Sequence, residues 1–195
     1  MERILLFIKH HLIALWRIID RFNGLLFNFI FSARLNKVLP GVFSDAPQDG
    51  FTYRRLNSAD LNTLYDLISS QPSSDLKFFN PHGFDHKSLA AHLKKSSFLM
   101  MGAFKEEKMV GYFFLRFFVN RRCFVGRLID RQFRGLNIGT KMNFIMYETA
   151  WRMKFRCLST ISKHNMAVMK AHARNRQMKI LRDLPNDYLL VEFVK

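Results

Sequence analysis

The stretch from Ile129 to Met142 constrains the fold of this chain more than any other, because a strand, a loop and a helix follow one another within it. The apolar run 123–129 is typical of a strand, and the loop after it is rich in Arg, Gly and Asn. Apolar residues then recur at helical spacing from Ile138 onward. Consecutive N–H groups in such a loop can point at one anion, and the positive end of the helix adds to the attraction. The stretch therefore predicts a pyrophosphate site.

A plain tight turn is the alternative interpretation of the same loop. A single Gly-X-X-X-Gly sequence between a strand and a helix is often no more than that. Gly139 favours the anion site, because a phosphate could approach its backbone without a side chain in the way. The motif alone leaves both interpretations open.

The run 129–139 resembles motif A of the GNAT N-acetyltransferase superfamily, where a strand ending in Val-X-Pro-X-Tyr leads into Arg-Gly-X-Gly-X-Gly. The positions that fit this pattern are Ile129, Phe133, Arg134, Gly135 and Gly139.

Two positions depart from the family pattern. Arg131 stands in place of the usual proline, and Asn137 stands in place of the first glycine of the core. Asparagine adopts left-handed backbone geometry more readily than other non-glycine residues, so we expect the loop to keep its shape.

The order of predicted elements after residue 50 is strand, two helices, three strands, helix, strand, helix and two strands. This order is similar to that of the GNAT fold. We therefore predict an α/β (α+β) domain over 51–195, in which helices flank a mixed, mostly antiparallel sheet.

The resemblance implies acetyl-coenzyme A as co-substrate and no metal. In the family an amine attacks the thioester directly, in a gap between the fourth and fifth strands. Strand backbone would then line the pantetheine arm, loop amides would hold the pyrophosphate, and the Asn after the fifth strand would contact the arm or simply cap the next helix. The residues implied for coenzyme binding are Leu128, Ile129, Arg134, Gly135, Leu136, Asn137, Ile138, Gly139, Thr140 and Asn165.

The candidate acid and base residues are less clearly marked. Many family members place a tyrosine that protonates the departing thiolate seven residues after that Asn, and here the position holds His172. A histidine can donate a proton near neutral pH, although an uninvolved helix histidine is the plain alternative. His82, Asp130 and His164 are the candidates for a general base, and a water relay is the alternative to all three.

The first forty residues form a segment of a different kind. Arg3, His10, Arg17 and Arg21 fall on one line of a helix, and the surrounding positions are mostly apolar. We predict an added amphipathic helix over 1–40 that ends at Pro40-Gly41, followed by a linker over 41–50. Such a helix can lie in a membrane interface or pack on its own domain or on a partner subunit.

The net charge and the cysteines indicate which partners and which cellular compartment to expect. A formal net charge of +16 exceeds what coenzyme A alone explains, so an anionic membrane surface or nucleic acid enters as a further partner. The basic residues are scattered and carry no nucleic-acid motif, which ranks nucleic acid last. Cys123 and Cys157 lie in apolar runs, as expected for buried reduced thiols of a cytoplasmic protein.

Two functions follow as hypotheses. The first is an N-acetyltransferase acting on a primary amine of a small molecule or amino sugar, or of a membrane-associated intermediate at the inner face of the membrane. The second is a GNAT-like protein without catalysis that serves as a basic module for binding a membrane surface or a partner. A homodimer is left open in both.

Overall fold

The computed structural model describes residues 13–47, 50–173 and 177–195, with backbone only for residues 13–17, 167 and 171–173. The helices are α1 Ile13–Asp45, α2 Leu61–Ser69, α3 Ser73–Leu76, α4 His86–Leu93, α5 Ile138–Arg152 and α6 Met166–Ala173. The strands are β1 Thr52–Arg55, β2 Phe98–Lys105, β3 Lys108–Phe118, β4 Arg122–Ile129, β5 Arg156–Ser162, β6 Met178–Leu184 and β7 Tyr188–Phe193.

The described strands form one seven-stranded mixed sheet in the order β1-β2-β3-β4-β5-β7-β6. The β4–β5 pair is parallel, and the other pairs are antiparallel. Strand and helix order after residue 50 follow the sequence prediction, and α3 is an additional short helix inside the predicted loop 71–84.

Local signals explain where the helices on one face begin. Asn57 forms a capping box with Asp60 ahead of α2, and Asp85 accepts from the Ser88 N–H to cap α4. Buried residues of these helices, including Leu64, pack on this face of the sheet in one cluster.

The centre of the sheet is apolar on both faces. Along β3, Phe113 and Phe117 belong to one buried cluster, and Tyr112 and Phe114 belong to the cluster with α2 and α4. This alternation is the two-residue period of a strand. The sheet therefore has a core on each side, and α5 packs on the side opposite to α2 and α4.

Helix α1 completes the core on the α5 side. The Phe27 ring stacks on Phe117 at 4.9 Å between centroids, and the Phe31 ring meets Phe155 edge-on at 5.0 Å. The side chain of Asn23 donates to the Phe117 carbonyl at 2.9 Å and accepts from the Val119 N–H at 3.0 Å. One face of α1 therefore packs on its own domain, which was one of the predicted alternatives.

The predicted end of this helix at Pro40-Gly41 is wrong, because α1 continues to Asp45. A proline inside a helix costs about 3 kcal/mol and removes one hydrogen bond. Leu39 and Val42 are both buried in the core, and burial of each such side chain contributes roughly 1.5–3 kcal/mol. An ion pair between Asp45 and Arg152 at 2.8 Å also holds the last turn. Residues 41–45 of the predicted linker are thus helical.

Cys123 and Cys157 are register partners on β4 and β5, and both are buried and free, as predicted. Burial raises the pKa of each thiol, that of Cys123 well above its ordinary value. No helix among the described residues is long and apolar enough to cross a membrane.

Candidate active site

The parallel strands β4 and β5 separate part-way along their length. Their register pairs run only from Arg122 opposite Arg156 to Phe124 opposite Leu158. The Ser159 hydroxyl then donates to the Val125 carbonyl at 3.0 Å. Each strand continues, paired on its outer side with β3 or β7. The sheet therefore has a wedge-shaped opening between residues 126–129 and 160–162.

The loop from β4 to α5 begins at this wedge. Asp130 accepts from the Gln132 N–H at 3.0 Å and starts a single 3-10 turn. Gly135 has φ +84° and Asn137 has φ +61°, so both are left-handed. The expectation that Asn137 adopts this geometry is confirmed.

Asn137 also opens α5. Its carbonyl accepts from the N–H groups of Thr140 and Lys141 at 3.0 and 3.5 Å. The N–H groups of Ile138 and Gly139 precede these first intrahelical bonds, and in any helix such donors are satisfied from outside. The positive end of a 15-residue helix therefore stands beside the wedge.

Gly139 has a packing role in addition to the one predicted for it. A Cβ atom built on Gly139 would lie 3.2 Å from Arg127 Nε and 3.2 Å from Ile129 Cδ1. The missing side chain thus lets the first turn of α5 approach β4. Access of a phosphate to the Gly139 backbone stays a prediction.

A groove of about 1030 Å³ runs from this loop along α5. Its lining includes Arg127, Arg134 and Gly139 at the loop end and Tyr147 and Trp151 further along the helix. Arg127 and the N-terminus of α5 make the loop end favourable for an anion.

Arg134 is held in place by the surrounding structure. Its Nη2 donates to the Asp75 carboxylate at 2.8 Å, and Nε and Nη2 both lie 3.4 Å from the Ile129 carbonyl. The guanidinium thus bridges α3 and the end of β4. An anion that bound Arg134 would compete with Asp75.

Sequence reasoning missed Arg127 as a groove residue. Its Nη1 donates to the Asn143 side chain, and burial lowers the pKa of the guanidinium. Positions 123, 125 and 129 on the same face of β4 are Cys, Val and Ile, so a charged residue at 127 breaks the apolar pattern. That break is the signal that could have identified it.

The candidate general bases lie in different environments. Asp130 is buried, caps the 3-10 turn and has Lys108 Nζ 3.9 Å from its carboxylate. His164 is exposed and its Nε2 lies 3.0 Å from the Asp187 carboxylate.

Two other predicted site residues lie just after β5. Asn165 accepts a hydrogen bond from the Val168 N–H at 3.2 Å, as a helix cap does. The side chain of His172 lies outside the described part of the chain.

His82 is buried away from solvent with both ring nitrogens engaged. Nδ1 lies 2.8 Å from the Gly83 carbonyl, which can only accept, so Nδ1 carries the proton. Nε2 therefore accepts from the Tyr112 hydroxyl at 2.7 Å. Burial lowers the pKa of His82 to about 4. These contacts favour a role in positioning the 71–84 loop over a role as base.

The described residues contain no group of three or more His, Cys, Asp or Glu side chains that could hold a metal ion.

A mixed seven-stranded sheet that opens between β4 and β5, with a helix N-terminus at the opening, is the architecture of the GNAT N-acetyltransferases. The PaiA N-acetyltransferase of Thermoplasma acidophilum, solved with coenzyme A, matches with TM-score 0.64 and 14% identity, over 74% of this chain and 99% of its own. The GNAT domain of S. lividans PAT matches with TM-score 0.62 and 11% identity, over 72% and 88%.

A third similar structure is the Salmonella typhimurium acetyl transferase that modifies the N-terminal serine of ribosomal protein L7/L12. It has TM-score 0.57 and 17% identity, over 75% of this chain and 95% of its own. No sequence-family profile and no curated protein matches this chain. The predicted GNAT fold is thus confirmed by three-dimensional similarity.

Proposed function

We propose that this chain transfers an acetyl group from acetyl-coenzyme A to a primary amine. The observation that carries the proposal is the wedge between β4 and β5, with the N-terminus of α5 and the groove arginines beside it. Structural neighbours with this fold include N-acetyltransferases, and two of these structures are complexes with coenzyme A.

The reaction needs two reactants held together. The amine nitrogen attacks the thioester carbonyl, the new C–N bond replaces the C–S bond, the amine loses a proton and coenzyme A leaves as a thiol. Holding the reactants in this geometry supplies much of the rate.

Coenzyme binding is assigned to the backbone of the loop. The N–H groups at the start of α5 would bind the diphosphate, and the backbone at Leu128 and Ile129 would line the pantetheine arm. Arg134 would add a charged donor by moving from Asp75 to a phosphate oxygen.

We assign removal of the amine proton to a water relay and not to a single side chain. His172 is proposed to protonate the departing thiolate, as the family's tyrosine does at that position. Asp130 is the base candidate next to β4, and His82 is assigned to positioning.

The proposed acceptor is a primary amine of a small molecule or amino sugar, or of a membrane-associated intermediate. The proposed location is the cytoplasm, where acetyl-coenzyme A is made and where buried thiols such as Cys123 and Cys157 stay reduced.

Isothermal titration with acetyl-coenzyme A tests the binding step, and an amine screen that follows thiol release tests the reaction. Gly139→Val should weaken binding by about tenfold or more, because its side chain would crowd Arg127 and Ile129 and push the first turn of α5 away from β4. Gly41→Ala is the matched control, since its Cβ would meet its nearest neighbour at an ordinary 3.6 Å. Unchanged affinity in Gly139→Val would contradict the proposed coenzyme site.

A protein without catalysis that binds a membrane or a partner is the second candidate. The ion pair between Arg134 and Asp75 favours this candidate, because Asp75 already binds the arginine that coenzyme binding would need for the phosphates. Absence of acetyl-coenzyme A binding by the full chain would select this function.

A further inference from the structure

Helix α1 carries a line of large apolar side chains on its outward side. Ile18, Phe22, Leu25 and Phe29 follow one another at spacings of four, three and four residues, which places them on one side of a helix. Their exposed fractions are 65%, 61%, 64% and 90%. We call these four residues the outer stripe.

The outer stripe takes no part in the core. The opposite side of α1 packs on the sheet through Phe27, Phe31 and Leu35, which are all buried. Contiguous apolar surface of this kind marks an interaction site, whereas single exposed apolar residues are ordinary. The helix thus buries one apolar face in its domain and presents a second one.

An arginine borders the outer stripe on one flank, and a turn that carries a lysine lies along that flank. Arg21 is exposed beside Phe22 and Leu25. The turn at 94–96 lies along the same flank, because Ser96 Oγ donates to Asn28 Oδ1 at 3.0 Å. Lys94 in this turn is exposed.

The sequence pattern of residues 3–17 extends both features. Apolar residues continue the outer-stripe spacing at Ile4, Ile8 and Leu15, and Arg3 and Arg17 continue the line of Arg21. An apolar face with a basic border is the composition of helices that lie in a membrane interface.

The net charge favours a lipid surface over a second copy of the chain as the partner of the outer stripe. Each molecule carries a formal +16, so association through this face would bring two strongly positive molecules together. An anionic bilayer attracts the same charge and accepts the apolar side chains.

We propose that the outer stripe docks α1 flat on an anionic membrane surface, with Arg21 and Lys94 at the level of the headgroups. This proposal does not depend on the proposed acetyl transfer. A lipid-free titration with acetyl-coenzyme A can succeed or fail without affecting it.

Vesicle co-sedimentation of the full chain tests the proposal. Vesicles of phosphatidylcholine with phosphatidylserine should bind the protein, and vesicles of phosphatidylcholine alone should bind it at least about tenfold more weakly. A double variant, Phe22→Gln with Phe29→Gln, should lose at least about tenfold in affinity for the anionic vesicles. Its thermal midpoint should match that of the parent protein, since neither ring lies in the core.

Ile180→Gln is the matched control, because Ile180 is an apolar residue of β6 with 56% exposure and lies outside the outer stripe. This variant should bind vesicles like the parent protein. Equal binding by the double variant, or equal binding to vesicles without phosphatidylserine, would overturn the proposal. So would a lipid-free dimer that the double variant converts to a monomer, because the outer stripe would then be a subunit contact.

Discussion

At the scale of single residues, Gly135 and Asn137 hold the loop before α5 in left-handed backbone geometry. Such geometry costs most residues about 1–2 kcal/mol, and glycine nothing. No atom comes within 4 Å of a Cβ built on Gly135, so backbone conformation and not space is the constraint there. The shape of the loop between β4 and α5 therefore depends on these two residue types.

Asn137→Ala should lower the free energy of unfolding by about 1 kcal/mol and weaken acetyl-coenzyme A binding, because alanine tolerates this φ less well than asparagine. Asn137→Gly should keep both properties within error. Urea denaturation and isothermal titration of both variants measure the effects. Equal losses in the two variants would show that the amide side chain matters more than the backbone.

His82 gives the fold a pH dependence. Its folded pKa is about 4, below the ordinary 6.5, because burial disfavours the charged ring. Between pH 4 and 6.5 the unfolded chain therefore binds more protons at this histidine than the folded chain does. The contribution of His82 to the free energy of unfolding is complete above pH 6.5 and is lost as the pH falls toward 4. The contribution is at most about 3 kcal/mol.

Urea denaturation at pH 7, 5.5 and 4 should therefore show a smaller loss of stability in His82→Gln than in the parent protein. Ile180→Gln, an exposed position that carries no titratable group, should follow the parent curve. Parallel curves for all three proteins would remove His82 as the titrating group.

At the scale of elements, α1 differs sharply between its two faces. Phe27 is fully buried against Phe117, and Phe29 is 90% exposed two residues later. The helix therefore belongs to the fold although it precedes the predicted catalytic domain.

Phe27→Ala should cost about 3–5 kcal/mol of unfolding free energy, because it leaves a cavity in the core. Phe29→Ala should change it by less than about 0.5 kcal/mol. Chemical denaturation of the two variants makes the comparison. Similar small effects would mean that α1 does not pack on the sheet in solution.

Features that depend on neighbouring residues could be predicted from the sequence, and features that depend on distant contacts could not. The left-handed geometry of Asn137 was predicted because asparagine stands where the motif that this loop resembles has a glycine. The caps at Asn57 and Asp85 also depend on local signals, since each bonds residues within three positions of itself. The passage of α1 through Pro40 was not predicted, since it depends on burial of Leu39 and Val42 against distant parts of the chain. The ion pair between Arg134 and Asp75 joins residues 59 positions apart and has no sequence signal.

At the scale of the whole molecule, the excess positive charge opposes compaction. A formal +16 on 195 residues produces repulsion among surface cations that salt screens within about 10 Å at 0.1 M. A net positive charge of this size would favour the anionic ligand proposed at the wedge and the anionic surface proposed at the outer stripe.

The thermal midpoint should therefore rise as NaCl is added at low ionic strength. Differential scanning calorimetry measures the shift, and KCl should act like NaCl because the effect is one of screening. A falling midpoint would indicate that surface ion pairs such as Arg156–Glu192 outweigh the repulsion.

The enclosure of Cys123 and Cys157 in the sheet has a practical consequence. Burial raises the pKa of both thiols, which disfavours the thiolate that disulfide reagents and maleimides attack. A colorimetric thiol reagent, added to native protein with acetyl-coenzyme A and an amine, would then report mainly the coenzyme A released by the proposed reaction. The protein itself would contribute little background signal.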